Sequence, residues 1–396
     1  MIIEPKVRGF ICTTAHPAGC AQNVKNQIAF VKGKGEFKGP KKVLVLGAST
    51  GYGLSSRIAA AFGSRAATIG VGFEKPASGS RTASAGWYNT AAFEQEAQKE
   101  GLYAKTLIGD AFSQEMKEKV IDLIRSGLGK VDFVVYSIAA PRRTAPDGNT
   151  YSSVLKPIGR AYSDKTIDLK TRAIVPVSVQ PASEQEIHDT IKVMGGEDWA
   201  LWMDALANAG VLEQNARTVA YSYIGPEVTY PLYRSGTIGM AKEDLEATAK
   251  KISERLAGIS GSAYVSVNKA LVTQSSAAIP VVPLYITLLF RLMKEKGIHE
   301  DCIAQMDRLF REKLFNLENM PVLDGEGRLR VDDWELRPEI QREIEKNWPA
   351  VCTENLEELA DIKGYWKDFY NLFGFEVDGV DYSADISPEM AIPSVN

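Results

Sequence analysis

The sequence contains few of the residues that build disulfide frameworks or strongly charged surfaces. Four cysteines and three histidines are distributed over 396 residues, and 46 basic residues stand against 50 acidic ones. Four cysteines in a chain of this length are typical of a reduced compartment and not of a disulfide-stabilised secreted domain. The near-even charge balance lacks the clustered basic excess of nucleic-acid-binding proteins, so we expect no nucleic acid partner.

Long hydrophobic runs are also missing. The longest apolar run, Ala277 to Phe290, contains two prolines and is too short to span a bilayer. It predicts instead a buried segment or the wall of a lipophilic pocket. The first residues meet Glu4 and Pro5 before any apolar core forms, so no secretory leader is predicted. We therefore expect a cytoplasmic protein without a membrane span.

The few potential metal ligands do not form a convincing set. Cys12, His16 and Cys20 are evenly spaced, but a structural zinc site needs four ligands. The other cysteines and histidines show no paired spacing, so we predict no metal site.

What the sequence does contain is an alternation of short apolar runs and helical patterns. Such alternation predicts an α/β fold with a doubly wound parallel sheet. Helices are predicted over about 89–100, from Ser113 to about Ile124, and over about 238–256. The predicted strands are 43–46, 67–73, 103–108, 132–137, 216–223 and 263–267.

No linker divides the chain, so we expect residues 1–396 to form one large nucleotide-binding domain. Residues 1–40 are predicted to be an N-terminal extension, and 139–215 an insertion that contains part of a hairpin at 174–179. A capping box is predicted to start a helix after Ser183. Residues 275–396 are expected to be mostly helical and to lie on the substrate side.

A glycine-rich turn, Gly47 to Gly53, joins the first predicted strand to the first helix. A dinucleotide pyrophosphate needs backbone N–H donors at a helix N-terminus, and side chains there would hold the backbone away from the phosphate. The spacing differs from the commonest fingerprint, and a tight structural turn is the alternative. The strand–turn–helix context favours nicotinamide dinucleotide binding.

Acidic residues follow the second and third predicted strands. Glu74 could accept hydrogen bonds from the ribose hydroxyls and repel a 2′-phosphate, which favours NADH over NADPH. The alternative is a surface glutamate that closes a strand, and Lys75 beside it weakens the preference. Asp110 could meet the adenine or could cap the following helix, and the sequence leaves both open.

Hydride transfer to a substrate requires a group that stabilises a developing negative oxygen. None of the 15 tyrosines has a lysine four positions later, but Tyr233 and Tyr285 have one nine positions later. Nine residues of continuous helix place their ends on opposite faces, so Tyr285 and Lys294 should not converge. Gly236 and Gly239 interrupt the segment between Tyr233 and Lys242. A helix that begins near Thr237 would therefore let Tyr233 fold back over Lys242. The alternative is a half-buried loop tyrosine without a catalytic role.

Taken together, the motifs resemble the trans-2-enoyl-CoA/enoyl-acyl-carrier-protein reductases of the FabV type, over essentially the whole chain. The resemblance implies an enlarged short-chain-dehydrogenase Rossmann fold with extra N-terminal elements and helical substrate-site insertions. The motifs that carry it are 43–54, 86–89, 109–112, 193–199, the Tyr233–Lys242 pair, 272–274, 279–290 and 379–382.

The resemblance also implies site residues. Tyr233 would be the proton donor with Lys242 beside it, Tyr223 would contact the substrate thioester, and the run 279–290 would border the acyl chain. NADH would be held at the pyrophosphate, adenosine, adenine and nicotinamide by Gly47, Ala48, Ser49, Thr50, Gly51, Tyr52, Phe73, Glu74, Asp110, Ala111, Ile138, Ala139, Lys242, Leu271, Val272 and Thr273.

The reaction that the resemblance implies is NADH-dependent reduction of the trans-2 double bond of an acyl thioester, the last step of fatty-acid elongation. The substrate would be an enoyl-CoA or an enoyl-acyl-carrier protein, and the resemblance favours a monomer. We expect Lys242 to orient the ribose and to lower the pKa of Tyr233. The alternatives are a carbonyl reductase of ketoacyl groups and a non-catalytic NAD(H)-sensing protein.

Overall fold

A seven-stranded parallel sheet forms the centre of the computed structural model, which describes residues 1–8, 11–168, 171–274, 276 and 279–395. Every neighbouring pair of strands in this sheet is parallel. In the order in which they lie side by side, the strands are β13 (Leu329–Arg330), β12 (Ser262–Val267), β11 (Leu212–Ser222), β6 (Val131–Tyr136), β3 (Lys42–Leu46), β4 (Ala67–Gly72) and β5 (Ala104–Ile108).

The remaining strands form small antiparallel hairpins outside the main sheet. The predicted hairpin strand at 174–179 is confirmed, since it pairs with the segment that precedes it. The pairs are β1 (Val7–Arg8) with β2 (Ile11–Cys12), β7 (Arg142–Thr144) with β8 (Thr150–Ser152), and β9 (Tyr162–Asp168) with β10 (Ala173–Val179).

Helices surround the sheet and fill its carboxyl edge. Short π-helical turns, Ala59–Gly63 and Leu309–Leu314, extend the second and ninth helices. The α-helices are α1 (Pro17–Gly33), α2 (Gly51–Ile58), α3 (Ala85–Lys99), α4 (Gln114–Gly127), α5 (Glu184–Met194), α6 (Glu197–Asn208), α7 (Thr237–Arg255), α8 (Val282–Glu295), α9 (Cys302–Arg308), α10 (Pro338–Ala350), α11 (Leu356–Leu359) and α12 (Ile362–Asn371).

Strand β3 shows why the sheet is covered on both faces. Leu44 and Leu46 pack with α4, α6 and α7, whereas Val43 and Val45 point to the other face and pack with α9 and the turn after α2. A continuous apolar run is what a strand buried on both faces requires. The strand order, with the chain crossing back at β3, is that of a doubly wound Rossmann fold, so the predicted fold class is confirmed.

The local predictions were accurate at several helix starts. Helix α4 begins after Ser113, whose side chain accepts from Met116 N, and α5 begins after the Ser183 capping box. The boundary predicted at residue 215 is wrong, because β11 already begins at Leu212. The strand is irregular there, with a left-handed Asn215 and a shift of register against β6, and this hid its first residues from the apolar pattern.

The C-terminal third differs from the prediction in two respects. A long non-helical stretch at 315–337 precedes α10, and another at 372–395 follows α12. The prediction that residues 275–396 are mostly helical is therefore wrong. This region also supplies the edge strand β13, which at two residues is too short to leave an apolar run. The aromatic residues Tyr365 and Phe369 are fully buried and belong to the core cluster that contains α8. Within the described ranges, no helix is both long and apolar enough to cross a bilayer.

Candidate active site

The carboxyl ends of the parallel strands bring the predicted residues to one edge of the sheet. The glycine turn follows β3, Glu74 follows β4, Asp110 follows β5, and Ile138 follows β6. Tyr223 comes directly after β11. Ligands in open α/β sheets bind outside these strand ends, at the point where the strand order reverses. That point lies between β3 and β6 in this chain.

The glycine turn is packed too closely for side chains at two of its positions. A Cβ at Gly47 would lie 2.2 Å from Ser137 O, and Gly47 has a left-handed φ of +82°. A Cβ at Gly53 would lie 1.8 Å from Gly47 O. These glycines therefore let α2 start directly against the ends of β3 and β6.

The third glycine faces open space. Gly51 is the first residue of α2 and has φ +53°, and a Cβ built on it meets no atom within 4 Å. The side chain of the N-cap residue, Thr50, makes no capping hydrogen bond. Unpartnered N–H groups at a helix N-terminus attract anions. The turn thus offers an open, positively polarised cradle that fits the pyrophosphate of a dinucleotide.

Glu74 is held in place at the end of β4. Its carboxylate accepts hydrogen bonds from Ser49 Oγ and Ser84 Oγ, each at 2.5 Å. Burial raises the pKa of Glu74, and the two serine bonds partly oppose this rise. The neighbouring Phe73 side chain is 75% exposed, an unusual position for a large aromatic ring. Its exposed face is available to stack on a planar base.

Asp110 does not cap α4. Its Oδ1 accepts from Phe112 N at 2.9 Å, while Ser113 is the N-cap residue of the helix. The side chain is exposed at the edge of the sheet, where an adenine could reach it. Ala111 turns its carbonyl inward to accept from Trp202 Nε1 at 3.0 Å.

The segments predicted on the nicotinamide side follow β6 and β12. Ile138 is partly buried and Ala139 is exposed after the end of β6. Leu271 and Val272 are buried in the core beside α8. Thr273 closes a small loop by exchanging hydrogen bonds with Ser276.

Tyr233 lies over the beginning of α7. The helix starts at Thr237, as expected, and Gly239 N donates to Tyr233 O at 2.9 Å. A Cβ at Gly239 would lie 1.9 Å from Arg234 O, so only glycine lets the turn fold back this closely. The glycines therefore allow the tight turn before α7, while the contact of Tyr233 with Lys242 stays a prediction.

Two tyrosines lie in contact at this end of the sheet. The rings of Tyr223 and Tyr233 meet edge-to-face, with centroids 4.7 Å apart. Both are partly buried against the apolar cluster that contains α8. Tyr285 and Lys294 do not converge, as predicted, because Tyr285 donates to Glu335 and Lys294 to Asp361.

Lys242 extends from α7 to the end of β11. Its Nζ donates to Tyr221 O at 3.0 Å, next to the end of β11. Burial lowers the pKa of Lys242 to about 8. The expectation that Lys242 lowers the pKa of Tyr233 is wrong, because burial and the negative charge of Glu335 raise it. Tyr233 is therefore protonated at neutral pH and able to donate.

Two buried charged residues of the site were missed by sequence analysis. Glu335 is 0% exposed and Lys269 is 2% exposed. Burial raises the pKa of Glu335 to about 7 and lowers that of Lys269 to about 8. Glu335 follows two aspartates and a tryptophan, a pattern typical of a surface loop, so nothing local marks it as buried.

The apolar run forms a wall beside the tyrosines. Residues 277 and 278, at its start, lie outside the described residues. From Val282 to Phe290 every side chain of α8 is buried. His16, one of the discounted metal ligands, accepts from Gly19 N and so caps α1. No group of three potential metal ligands occurs in the part of the chain that the structure describes.

Family models match almost the whole chain. Residues 81–315 match the catalytic region of trans-2-enoyl-CoA reductase, and residues 2–79 match the NAD(P)H binding domain of the same enzyme. Residues 323–386 match a model described as an enoyl reductase FAD binding domain. The chain belongs to the trans-2-enoyl-CoA reductase family.

Individual relatives of the reductase agree with this assignment. The enoyl-[acyl-carrier-protein] reductase [NADH] of Flavobacterium johnsoniae is 59% identical over 396 residues, covering 100% of both chains. The trans-2-enoyl-CoA reductase [NADH] of Ruminiclostridium cellulolyticum is 58% identical and covers 99% of both. A crystal structure of trans-2-enoyl-CoA reductase from Clostridium acetobutylicum with NADH superposes with a TM-score of 0.95, at 49% identity and 98% coverage of each chain.

The flavin named in the third description does not fit the residues it matches. Residues 323–386 supply β13, Glu335 and the helices α10 to α12, whose aromatic side chains are buried against α8. Within this fully described stretch, no glycine turn leads from a strand into a helix N-terminus. We therefore derive no step of the reaction through a flavin.

Proposed function

We propose that the protein reduces the trans-2 double bond of enoyl thioesters through the residues around Tyr233. Membership of the family makes it an oxidoreductase that acts on carbon–carbon double bonds, with NADH as the reductant. The observation that supports the assignment of residues is the ring contact of Tyr223 and Tyr233 after β11, the strand whose Tyr221 O accepts from Lys242.

The cofactor side is assigned to the strand ends. NADH, when bound, supplies a hydride to C3 of the enoyl group. The free N–H groups at the start of α2 hold the pyrophosphate, Glu74 holds the adenosine ribose, and Phe73 and Asp110 border the adenine. Ile138, Ala139 and the segment 271–273 line the nicotinamide side.

The tyrosines act where negative charge develops. After hydride addition at C3, charge collects on the thioester oxygen as an enolate, and we assign the hydroxyls of Tyr223 and Tyr233 to hydrogen-bond that oxygen when substrate is bound. The raised pKa of Tyr233 keeps its proton in place until that charge appears. Tyr233 then supplies the proton that forms the new C–H bond at C2 as the enolate returns to the thioester carbonyl, and Tyr223 holds the oxygen.

Lys242 is assigned to the cofactor side of the site. Its ammonium group donates to Tyr221 O at the end of β11, and we assign it to the nicotinamide ribose. The role that this position supports is to orient the cofactor and, through it, Tyr233. The apolar wall of α8 gives the acyl chain a dry surface.

The test is NADH oxidation with crotonyl-CoA, compared with NADPH and with acetoacetyl-CoA. We expect turnover with NADH and crotonyl-CoA. Turnover should be low when NADPH replaces NADH or when acetoacetyl-CoA replaces crotonyl-CoA. Oxidation with acetoacetyl-CoA in place of crotonyl-CoA would identify a carbonyl reductase. NADH binding without turnover of any enoyl thioester, on CoA or on the carrier protein, would identify a sensing protein.

We further propose that the enzyme works as a monomer in the cytoplasm and accepts acyl-carrier-protein substrates as well as CoA esters. The cysteines Cys12, Cys20, Cys302 and Cys352 are all free thiols, which supports a reducing compartment. Sedimentation equilibrium should give a mass near 43.3 kDa, and a dimer mass would contradict the monomer.

A further inference from the structure

A buried carboxyl group connects the substrate tyrosine to the helix that forms the acyl wall. Glu335 lies in the turn between β13 and α10 and is 0% exposed. Its Oε1 accepts from Tyr223 Oη at 3.0 Å and from Tyr285 Oη at 2.7 Å. Its Oε2 accepts from Ala270 N at 2.7 Å.

The charged and titratable groups around Glu335 leave its protonated and ionised forms close in free energy near neutral pH. Lys269, after β12, stabilises the carboxylate, but its Nζ donates to Ala270 O and not to Glu335 itself. Asp332, on the same turn, disfavours the carboxylate. The other titratable groups that interact with it are the hydroxyls of Tyr52, Tyr223, Tyr233 and Tyr285. Burial outweighs the stabilising contacts and brings the pKa of Glu335 to about 7.

The hydrogen-bond pattern makes the protonation state matter to Tyr223. A phenol has one hydrogen, and a carboxylate can only accept. While Glu335 is ionised, the hydrogen of Tyr223 points to Oε1 and cannot also point to a thioester oxygen. When Glu335 is protonated, its own O–H can donate to Tyr223 Oη, and the hydrogen of Tyr223 is released toward the substrate.

We propose that Glu335 is a positioning residue that sets the direction of the Tyr223 hydroxyl, and that its protonated form is the active one. The proposal rests on the proposed function, because it concerns a hydrogen bond to the enoyl thioester. We assign Glu335 no contact with substrate or cofactor: it acts on Tyr223 through the hydrogen bond, and burial and the charge of Glu335 raise the pKa of Tyr233. Tyr285, on the other side of Oε1, holds the carboxyl group in place.

The consequence is a specific dependence of kcat on pH. Below the pKa Glu335 carries its proton and Tyr223 can donate, and above it Tyr223 is turned away. We therefore expect kcat of the wild type to fall as the pH rises through about 7. Titration of Lys242 contributes a separate loss at higher pH, near 8.

The decisive variant is Glu335→Gln, which replaces the acid by a permanent donor of similar shape. NADH oxidation with saturating crotonyl-CoA is measured across this pH range. We expect the kcat of the variant not to fall near pH 7 but still to fall near pH 8. Above pH 8 its kcat should exceed that of the wild type. The NADH Kd should stay within about twofold of the wild type, since Glu335 does not reach the cofactor.

Tyr285→Phe is the second variant and leaves every charge in place. It removes a hydrogen bond that stabilises the carboxylate, so the pKa of Glu335 should rise and the fall in kcat should move to higher pH. In a Tyr223→Phe background, Glu335→Gln should change the fall in kcat near pH 7 much less than it does when Tyr223 is present. A purely structural role of Glu335 would produce neither result.

The outcomes separate the two proposals. One outcome would overturn the role of Glu335 and leave the proposed reaction intact. In it the wild type turns over the substrate, and kcat falls near pH 7 in the same way in the wild type, in Glu335→Gln and in Tyr285→Phe. No turnover of any enoyl thioester would overturn the proposed function and this role with it. If Glu335→Gln does not fold, the shift in Tyr285→Phe decides the question alone.

Discussion

Replacing glycines of the β3–α2 turn one at a time should separate its structural role from its binding role. Gly51→Ala places a methyl group in open space at the start of α2, so the only folding cost is the left-handed conformation, about 1 kcal/mol. The same methyl group enters the cradle and should weaken NADH binding about tenfold, or about 1.4 kcal/mol. Gly53→Ala instead drives a Cβ to 1.8 Å from Gly47 O, and overpacking of this kind should cost about 3 kcal/mol or more.

The assay pairs denaturant unfolding with a fluorescence titration of NADH. Gly101→Ala is the control, because Gly101 also has a positive φ, +67°, and open space around it, but lies beyond the end of α3. It should show the same small loss of stability as Gly51→Ala and unchanged NADH affinity. Wild-type affinity in Gly51→Ala would refute the assignment of the cradle to the pyrophosphate.

Three further substitutions test other parts of the account. Glu74→Gln removes the charge that repels a 2′-phosphate, so kcat/KM with NADPH should rise about tenfold relative to NADH in parallel assays. Lys242→Met should raise the NADH KM and lower kcat in steady-state kinetics, and unchanged values would contradict its role in orienting the cofactor. Arg308→Met leaves the buried Glu300 without the two guanidinium bonds at 2.7 and 2.8 Å, so unfolding should show a loss of about 3–5 kcal/mol; a loss below 1 would refute this.

The elements that could be predicted from the sequence are those in which the local residue pattern follows directly from the structural role. A strand such as β3, buried on both faces, needs a continuous apolar run, and Ser113 and Ser183 accept from backbone N–H groups three residues later. The glycines of the β3–α2 turn stand where a side chain would collide with backbone. In each case the residue type is fixed by neighbours close in the chain or by the sheet itself.

The features that the sequence hid depend on contacts between distant segments. Glu335 is buried where Tyr223, Tyr285 and Ala270 converge on it from three other segments of the chain. Strand β13 exists because Ser266 and Val267 of β12 offer an edge to pair with. The wrong expectation for Tyr233 has the same origin, since its pKa is raised by burial and by the charge of Glu335, which is 102 positions away in the chain.

The most direct test of the central claim is the kcat of Tyr233→Phe beside that of Tyr230→Phe. Tyr230 is a partly buried tyrosine on the same turn and serves as the matched control. We predict that Tyr233→Phe lowers kcat for crotonyl-CoA about 100-fold or more while its NADH Kd stays unchanged, and that Tyr230→Phe behaves like the wild type. Wild-type turnover by Tyr233→Phe would contradict the assignment of Tyr233 as the proton donor.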